Sequence, residues 1–475
     1  MGLREGINMQ RWKVYAIAIA IGMMSSAVSA QTVVATWNVA WLMAKPTYET
    51  WTSTCKRFGW PSDVSKISDA SLRDKAREEL KGLPYCNVHN GMMFPPDSCL
   101  IEDASKIEGW PDAPRYGPNH PCRVSLDLSG GWSQYDIKLQ HLRKMAAELA
   151  KGKINVLVLQ EVFDEDAVRQ ILPPNWEVSS TKGLTGSPEI PQQLAVAYPK
   201  DNPARVRNVH AYGELSSVGP GRHPVRPGLD FTADVAGKPV RFLGVHLKAG
   251  CRSADITNPL KRDYHSAEDF ERQQAECNAM LAQVPVLERW VDERAAAKEE
   301  FVVLGDFNRN LQGEDSKTAR SDNTDPKTPL KCSFNARDGK TECSSPVERL
   351  MPEISDGDPA GASFIRSIFT TKQGTELKMV RGQYPENSRG ACVLKSSGRY
   401  KREDGKKIVE AVASLAHDGI DHILVSAALA QRLKKTSFVM SRYNYRRIGE
   451  NTPMVVTPQD AVPSDHCPHF VALDQ

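Results

Sequence analysis

Four apolar runs in this chain each end in polar side chains suited to chemistry, and no other feature constrains the fold as strongly. Thr32 to Val39 reads as a strand reaching Trp37-Asn38, and Ile154 to Leu159 is followed by Gln160-Glu161. Val240 to Val245 leads to His246, and Phe301 to Leu304 leads to Gly305-Asp306-Phe307-Asn308. Strand side chains alternate with a period of two, so Asp306 and Asn308 would share a face at the strand's end. Two later runs, Ile420 to Val425 and His469 to Leu473, carry their polar residues at the start: Asp421 in one, Asp465 and His466 ahead of the other. If all these groups meet at one rim, the last two strands run antiparallel to the first four. The expectation is a mixed sheet with a catalytic edge.

Helical signals alternate with these runs. Gln134 to Lys151 places Ile137, Leu142, Met145, Ala146 and Leu149 at helical spacing, with a stop at Lys151-Gly152-Lys153. A long helix begins near Ala267, with Phe270, Cys277, Leu281, Leu287 and Trp290 on its inner side and a kink expected at Pro285. Leu194 to Tyr198 and Phe231 to Val235 add strands. Buried strands alternating with amphipathic helices argue for α/β layering. Two stretches break the pattern. Residues 44–131 are rich in Pro, Gly, Trp and Cys and read as a disulfide-pinned insertion with one short helix near Ser71 to Leu80, and 311–346 reads as a polar loop insertion.

The N-terminus has its own logic. Arg4, Arg11 and Lys13 precede an apolar run from Val14 to Ile21, and small residues then lead to Ala27-Val28-Ser29-Ala30. This is the layout of a secretory signal peptide over residues 1–30, leaving 31–475 as the mature domain. The apolar run falls short of the roughly 20 residues that span a bilayer, so no stable membrane insertion is expected. Export, to a periplasm or out of the cell, suits the ten cysteines, since oxidising compartments let disulfides persist. Clustering suggests two bridges among Cys55, Cys86, Cys99 and Cys122, a Cys251–Cys277 bridge and a Cys332–Cys343 bridge, with Cys392 and Cys467 left over. The early cysteines and His89 and His120 match no regular zinc spacing. A formal net charge of +3 over 475 residues neither demands nor excludes a polyanionic substrate. No protein partner is implied.

The residue types specify a chemistry. Glu161, Asp465 and an amide such as Asn38 are oxygen ligands suited to a hard divalent cation that keeps several waters. An Asp beside a His, as Asp421 and His466 could be, orients the imidazole and stabilises its cation. His246, followed by Lys248, can contact a phosphoryl oxygen or protonate a leaving group. Together these groups suit attack of water on a phosphate ester.

In their order, Trp37-Asn38, Gln160-Glu161-Val162, Gly244-Val245-His246-Leu247-Lys248, Gly305-Asp306-Phe307-Asn308, Ile420-Asp421-His422 and Ser464-Asp465-His466 resemble the endonuclease/exonuclease/phosphatase superfamily, which is deoxyribonuclease I-like. The resemblance runs from Val33 to Val471, interrupted by the Cys-rich insertion and the loop after Asn310. It implies a four-layer α/β sandwich of two packed mixed sheets flanked by helices. It also implies phosphoester hydrolysis dependent on Mg²⁺, with Mn²⁺ or Ca²⁺ as alternatives. Glu161 would be the main metal ligand, with Asn38 and Asp465 completing or flanking the metal and phosphate site. Asp306 would orient or deprotonate the attacking water, Asn308 would hold a phosphate oxygen, and His466 with Asp421 would act as base or charge stabiliser. His246 would bind phosphate or assist the leaving group. Arg226, before the strand at Phe231, stands where nuclease members often carry a phosphate-binding arginine. Ala40 departs from the acidic residue that abasic-site enzymes have after Trp-Asn.

A nuclease acting on DNA or RNA is therefore the first expectation. A sphingomyelinase-type phospholipid phosphodiesterase, an inositol-phosphate phosphatase and a non-catalytic binding protein on the same scaffold are the alternatives. Taken singly, each residue has an ordinary explanation: Asn38 as a turn former, Glu161 or Asp306 as a surface charge or helix cap, His246 as a satisfied histidine of the rim. His422 and His265 lie beside the motifs and could merely support them. Ser441-Arg442-Tyr443-Asn444-Tyr445-Arg446-Arg447 interleaves aromatic rings with cations, as a nucleic-acid contact or as a solvated loop.

Overall fold

The computed structural model describes residues 32–59, 64–84, 86, 134–151, 153–216, 225–251, 267–309, 311, 332–335, 340–343, 350, 354, 364–365, 399–401, 408–410, 420–432, 440–441, 466 and 468–473. Its strands are β1 (Thr32–Leu42), β2 (Val156–Val162), β3 (Trp176–Ser180), β4 (Gln193–Pro199), β5 (Arg207–Tyr212), β6 (Gly228–Val235), β7 (Lys238–His246) and β8 (Phe301–Asp306). After them come β9 (Cys332–Asn335), β10 (Lys340–Cys343), β11 (Phe364–Ile365), β12 (Arg399–Lys401), β13 (Ile408–Glu410), β14 (Asp421–Ser426), β15 (Met440–Ser441) and β16 (His469–Leu473). Two six-stranded sheets carry the molecule, in the orders β15-β16-β1-β2-β4-β3 and β11-β14-β8-β7-β6-β5. β9 with β10 and β12 with β13 form two small separate ladders.

Three apolar layers show how the sheets stack. On one outer face, Val33, Ala35, Trp37 and Val39 of β1 pack with side chains of α1 (Lys45–Arg57), α2 (Ala70–Glu79), α3 (Gln134–Lys151) and α4 (Glu165–Arg169). On the other, Leu243, Val245, Phe301 and Val303 pack against α5 (Ala267–Ala296) through Met280, Leu281, Leu287 and Trp290. Between the sheets, Val34, Val156, Val158 and Val196 meet Phe231, Phe242, Val302, Leu304 and Ile423. α6 (Ala427–Arg432) adds Leu429 and Ala430 to that middle layer. Helices, sheet, sheet and helix make the four-layer sandwich, and each fully buried aliphatic or Phe side chain contributes roughly 1.5–3 kcal/mol to it.

The strand directions are those the polar endings require. β1 and β2 are parallel, as are β7 and β8. β16 runs antiparallel to β1, and β14 runs antiparallel to β8. The four runs divide between two mixed sheets, as the resemblance implies, rather than lining the rim of one, and the polar ends face one another across the sandwich. Gly244 lies at a close approach of the two sheets, since a Cβ there would stand 2.8 Å from Val158 Cγ1. Gly244→Ala should therefore lower stability by about 1–3 kcal/mol through overpacking. Urea unfolding measures this, and an unshifted midpoint would contradict so close an approach.

The described part of the 44–131 stretch holds more regular structure than its composition suggested. α1 buries Tyr48, Trp51, Thr54 and Cys55, a helical spacing hidden among Thr-rich, low-propensity residues. Tertiary contacts hold it: Tyr48 stacks on Tyr135 with ring centroids 3.8 Å apart, and Trp51 Nε1 donates to the Pro84 carbonyl at 3.0 Å. A Cys55–Cys86 disulfide pins its C-terminal half. α5 is one continuous helix with Pro285 inside it. Among the described residues, no helix is long and apolar enough to cross a membrane.

Candidate active site

The inward-facing positions of both sheets change character along the strands. On β1 they read Val34, Thr36, Asn38, and on β2 Val156, Val158, Gln160. On β7 they read Phe242, Gly244, His246, on β8 Val302, Leu304, Asp306, and on β14 Val425, Ile423, Asp421 counted toward the same rim. Period-two alternation thus makes the middle layer apolar at one end and polar at the other. Asn38, His246, Asp306 and Asp421 are all buried there at 3% exposure or less, so each carboxylate, amide or imidazole needs a partner.

The partners are each other. Asn38 Nδ2 donates to Glu161 Oε1 at 3.1 Å and to Asp306 Oδ2 at 3.0 Å, bridging the two sheets. His246 Nε2 lies 3.7 Å from Glu161 Oε1 and 3.5 Å from Asp306 Oδ2. His466 Nδ1 is hydrogen-bonded to Asp421 Oδ2 at 2.6 Å, and its Nε2 stands 3.7 Å from Asp306 Oδ2. The Trp37 indole donates to the His466 carbonyl at 3.3 Å, which ties this histidine to β1. Arg226 Nη2 contacts His246 Nε2 and donates to the Leu247 carbonyl at 3.3 Å.

Two site residues have left-handed backbone. Glu161 has φ +59° at a register shift in the β2–β4 pairing, and Asn308 has φ +52°. Left-handed backbone at non-glycine residues costs of order 1–3 kcal/mol and persists where surroundings over-determine it. The β2 irregularity takes Glu161 out of simple alternation and delivers its carboxylate to Asn38. Gly305, at φ +138°, is required as glycine because a Cβ there would collide with the Val245 carbonyl. That close approach lets Asp306 sit beside His246, its register partner in β7.

Charge follows from burial and neighbours. Burial raises the Asp306 carboxyl to about 6, while the nearby His466 and the N–H donors of Asn308 and Asn38 hold it from rising further. Burial, together with Arg226, His466 and Lys248, keeps the His246 imidazole well below its ordinary value. An imidazole that faces a guanidinium through Nε2 uses that nitrogen as an acceptor, so His246 stands as a neutral group here.

The donor set fits a hard divalent cation. Glu161, Asp306 and Asp421 bring three carboxylates together, faced by the Arg226 guanidinium. Glu161 keeps 16% side-chain exposure, which leaves room for the waters such an ion retains. Asp306, Asp421 and His466 could also offer ligand atoms within 4.8 Å of one another. Their 2.6 Å Asp421–His466 hydrogen bond already occupies one of those pairs, so Glu161 is the better anchor. In the orientation present, Asn38 turns Oδ1 to its own strand, accepting from Ala40 N at 2.9 Å, and offers the cluster a donor rather than a ligand oxygen.

The structure thus brings together Asn38, Glu161, Arg226, His246, Asp306, Asp421 and His466. Asn308 lies beside them, with Nδ2 donating to the Leu247 carbonyl at 3.0 Å. Lys248 does not join the cluster: its ammonium pairs with Glu276 of α5 and donates to the Ala249 carbonyl at 2.9 Å. Asp465 lies outside the described residues, as do Cys392, Cys467 and His265. The sequence motifs contain Gly244 and Gln160 but assign neither a role; the Gln160 amide donates to Thr36 Oγ1 at 2.9 Å just below the cluster. A glycine inside an apolar strand was the available signal for the first.

The loop that leaves β7 is bolted to α5. Lys248 N donates to Gln283 Oε1 at 2.8 Å, and Cys251 forms the anticipated disulfide with Cys277. β9 and β10 place Cys332 opposite Cys343 in register, while their side chains lie outside what is described. Cys251 and Cys277 are 26 residues apart, so Cys251→Ser should cost about 2–4 kcal/mol by freeing that loop in the unfolded chain. Equal urea midpoints for variant and wild type, without reductant, would contradict this.

No protein-family model and no curated protein matches the chain. Among solved structures, it is similar to truncated TDP2 of Caenorhabditis elegans at 12% identity, covering 71% of this chain and 91% of that one, with a TM-score of 0.32. The 3′ phosphatase NExo from Neisseria, bound to a product DNA hairpin, aligns at 19% identity over 71% and 95%, with a TM-score of 0.33. The human Nocturnin catalytic domain aligns at 12% identity over 71% and 86%, with a TM-score of 0.30. Likeness at this level transfers no residue role and no substrate. The sheets, their layers and the polar rim define the class: a two-sheet α/β sandwich with an acid–histidine cluster at the shared edge.

Proposed function

We propose that the chain is an exported, divalent-cation-dependent phosphodiesterase of the endonuclease/exonuclease/phosphatase superfamily, acting on nucleic acid. The observation that carries the reading is the Asp421–His466 pair directed at Asp306, with Asn38 joining Asp306 to Glu161 across the sheets. The six ordered motifs support it as well, because each of them supplies a side chain to this cluster. Export rests on the N-terminal layout and agrees with the disulfides at Cys55–Cys86 and Cys251–Cys277.

Each group has a task within hydrolysis. Asp421 holds the His466 imidazole through Nδ1, which directs Nε2 toward the acid cluster to take the proton of an attacking water. Asp306 orients that water, since its Oδ1 accepts from Asn308 N at 2.7 Å and its Oδ2 from Asn38 Nδ2, fixing the carboxylate plane. The Arg226 guanidinium, held by His246 Nε2 and the Leu247 carbonyl, would face the phosphoryl oxygens, where a preorganised positive charge counts most. Glu161, with Asp465 as its expected companion, would hold the cation, which polarises the phosphoryl group when bound.

A nucleic-acid substrate is favoured by the 441–447 segment of alternating rings and cations. β15 pairs with β16, so the start of that segment lies at the edge of the first sheet. The test is the purified mature protein against plasmid DNA, RNA, sphingomyelin and an inositol polyphosphate, each with Mg²⁺ and with EDTA. Nucleic-acid cleavage that requires Mg²⁺ is the expected result. Cleavage of sphingomyelin or the inositol phosphate alone would replace the substrate assignment, and inertness toward all four would overturn the enzyme reading.

A further inference from the structure

We propose that His422 is a positioning residue for the turn that carries Asp306 and Asn308. Its consequence for rate rests on the hydrolase reading above, while its consequence for structure does not. Asp421 and His422 are neighbours on β14, so alternation sends them to opposite faces of the second sheet. Asp421 faces the acid cluster, and His422 lies on the α5 side with Leu424 and Phe307.

The turn after β8 is clamped from two flanks. From β7, Leu247 N donates to the Asp306 carbonyl at 2.9 Å, and the Leu247 carbonyl accepts Asn308 Nδ2 at 3.0 Å. From β14, the Ile420 carbonyl accepts Phe307 N at 2.9 Å, and His422 Nε2 lies 2.9 Å from the Arg309 carbonyl. A carbonyl oxygen only accepts, so Nε2 carries the proton and donates. The His422 ring also meets Phe307 edge-to-face, with centroids 5.5 Å apart and planes at 77°. Both partners are inside the protein, with His422 1% and Arg309 6% exposed.

This clamp has a specific load. Asn308 sits at φ +52°, in the left-handed region that side-chain-bearing residues populate sparingly. Its N–H is the donor that fixes Asp306 Oδ1, and its side chain reaches back to the strand bearing His246. Removing the His422 bond leaves the buried Arg309 carbonyl without that donor and frees the far end of the turn. The outcome is misplacement of Asp306 and Asn308 rather than collapse of the sandwich.

The experiment compares His422→Leu and His422→Gln in the full mature chain. Gln keeps an N–H donor at similar reach, whereas Leu keeps only bulk. His422→Leu should lower kcat by roughly tenfold or more, the usual size for a supporting hydrogen bond, with KM changed by less than about twofold. Amide exchange should quicken in peptides covering residues 306–311 and stay unchanged in β1. His422→Gln should recover most of both effects. Wild-type kcat and exchange in the Leu variant would overturn the proposal, as would a Gln variant as impaired as Leu, which would assign the role to ring packing. Should the wild type hydrolyse no ester, the exchange arm still decides for or against the clamp.

Discussion

His466→Ala is expected to lower turnover of a phosphodiester by about 10²–10⁴-fold, the range that a positioned proton-transfer group supplies. KM should change little, because Nε2 is directed at the reacting water and Asp306 rather than at bound substrate. The substitution also strands the buried Asp421 carboxylate, whose Oδ2 now accepts from Nδ1 at 2.6 Å. A stability loss of about 1–3 kcal/mol should accompany the kinetic loss without abolishing the fold. Asp421→Asn separates the two effects. It keeps the side-chain volume and can still contact the ring, so a large loss of kcat with a nearly normal urea midpoint would show that orientation of the imidazole matters. A His466→Ala rate within about threefold of wild type would remove this histidine from the mechanism.

Glu161→Gln is expected to reduce turnover by orders of magnitude for a different reason. The amide has the shape of the carboxylate but lacks its charge, and a hard cation depends on that charge. Mg²⁺ should then protect the variant from thermal unfolding much less than it protects the wild type, since stabilisation by a ligand follows occupancy. Without cation the order should reverse. Glu161 stands close to Asp306 through their shared Asn38 donor, so neutralising it relieves like-charge crowding and leaves the variant at least as stable as wild type. A Gln variant with normal rate and normal protection by Mg²⁺ would take Glu161 out of the cation site.

Much of this cluster is legible in the sequence, because period-two alternation governs which side chains reach it. Period-two alternation fixes which residues of a strand share a face, so Asn38, His246 and Asp306 were recognisable as inward groups from their apolar predecessors. The reversed placement of Asp421 dictated an antiparallel β14, and the ladder to β8 pairs Asp421 directly with Asp306. What could not be read was long-range choice. The sequence shows that Lys248 follows His246 but not that a flexible ammonium finds Glu276, 28 residues on, in preference to the acid cluster. α1 was hidden because its helix depends on Tyr135, Pro84 and Cys86 from elsewhere in the chain, not on local propensity. Glu161 illustrates both sides: its identity pointed to a ligand, while the backbone irregularity that delivers it has no local signature.

Gly244 and Gly305 show how the apolar frame serves the polar rim. One lets the sheets approach, and the other lets β8 approach β7. Substituting either would act on the polar groups through displaced backbone rather than through a side-chain contact of its own. Their absence from a list of chemically capable residues is expected, since their contribution is the space they leave.

If the polar rim hydrolyses phosphodiesters with a bound divalent cation, removing and restoring that cation switches the activity off and on. Turnover of plasmid DNA by the purified mature protein should fall to background in EDTA and return when excess Mg²⁺ is added. An unchanged rate in the fully metal-stripped protein would contradict a cation-dependent site.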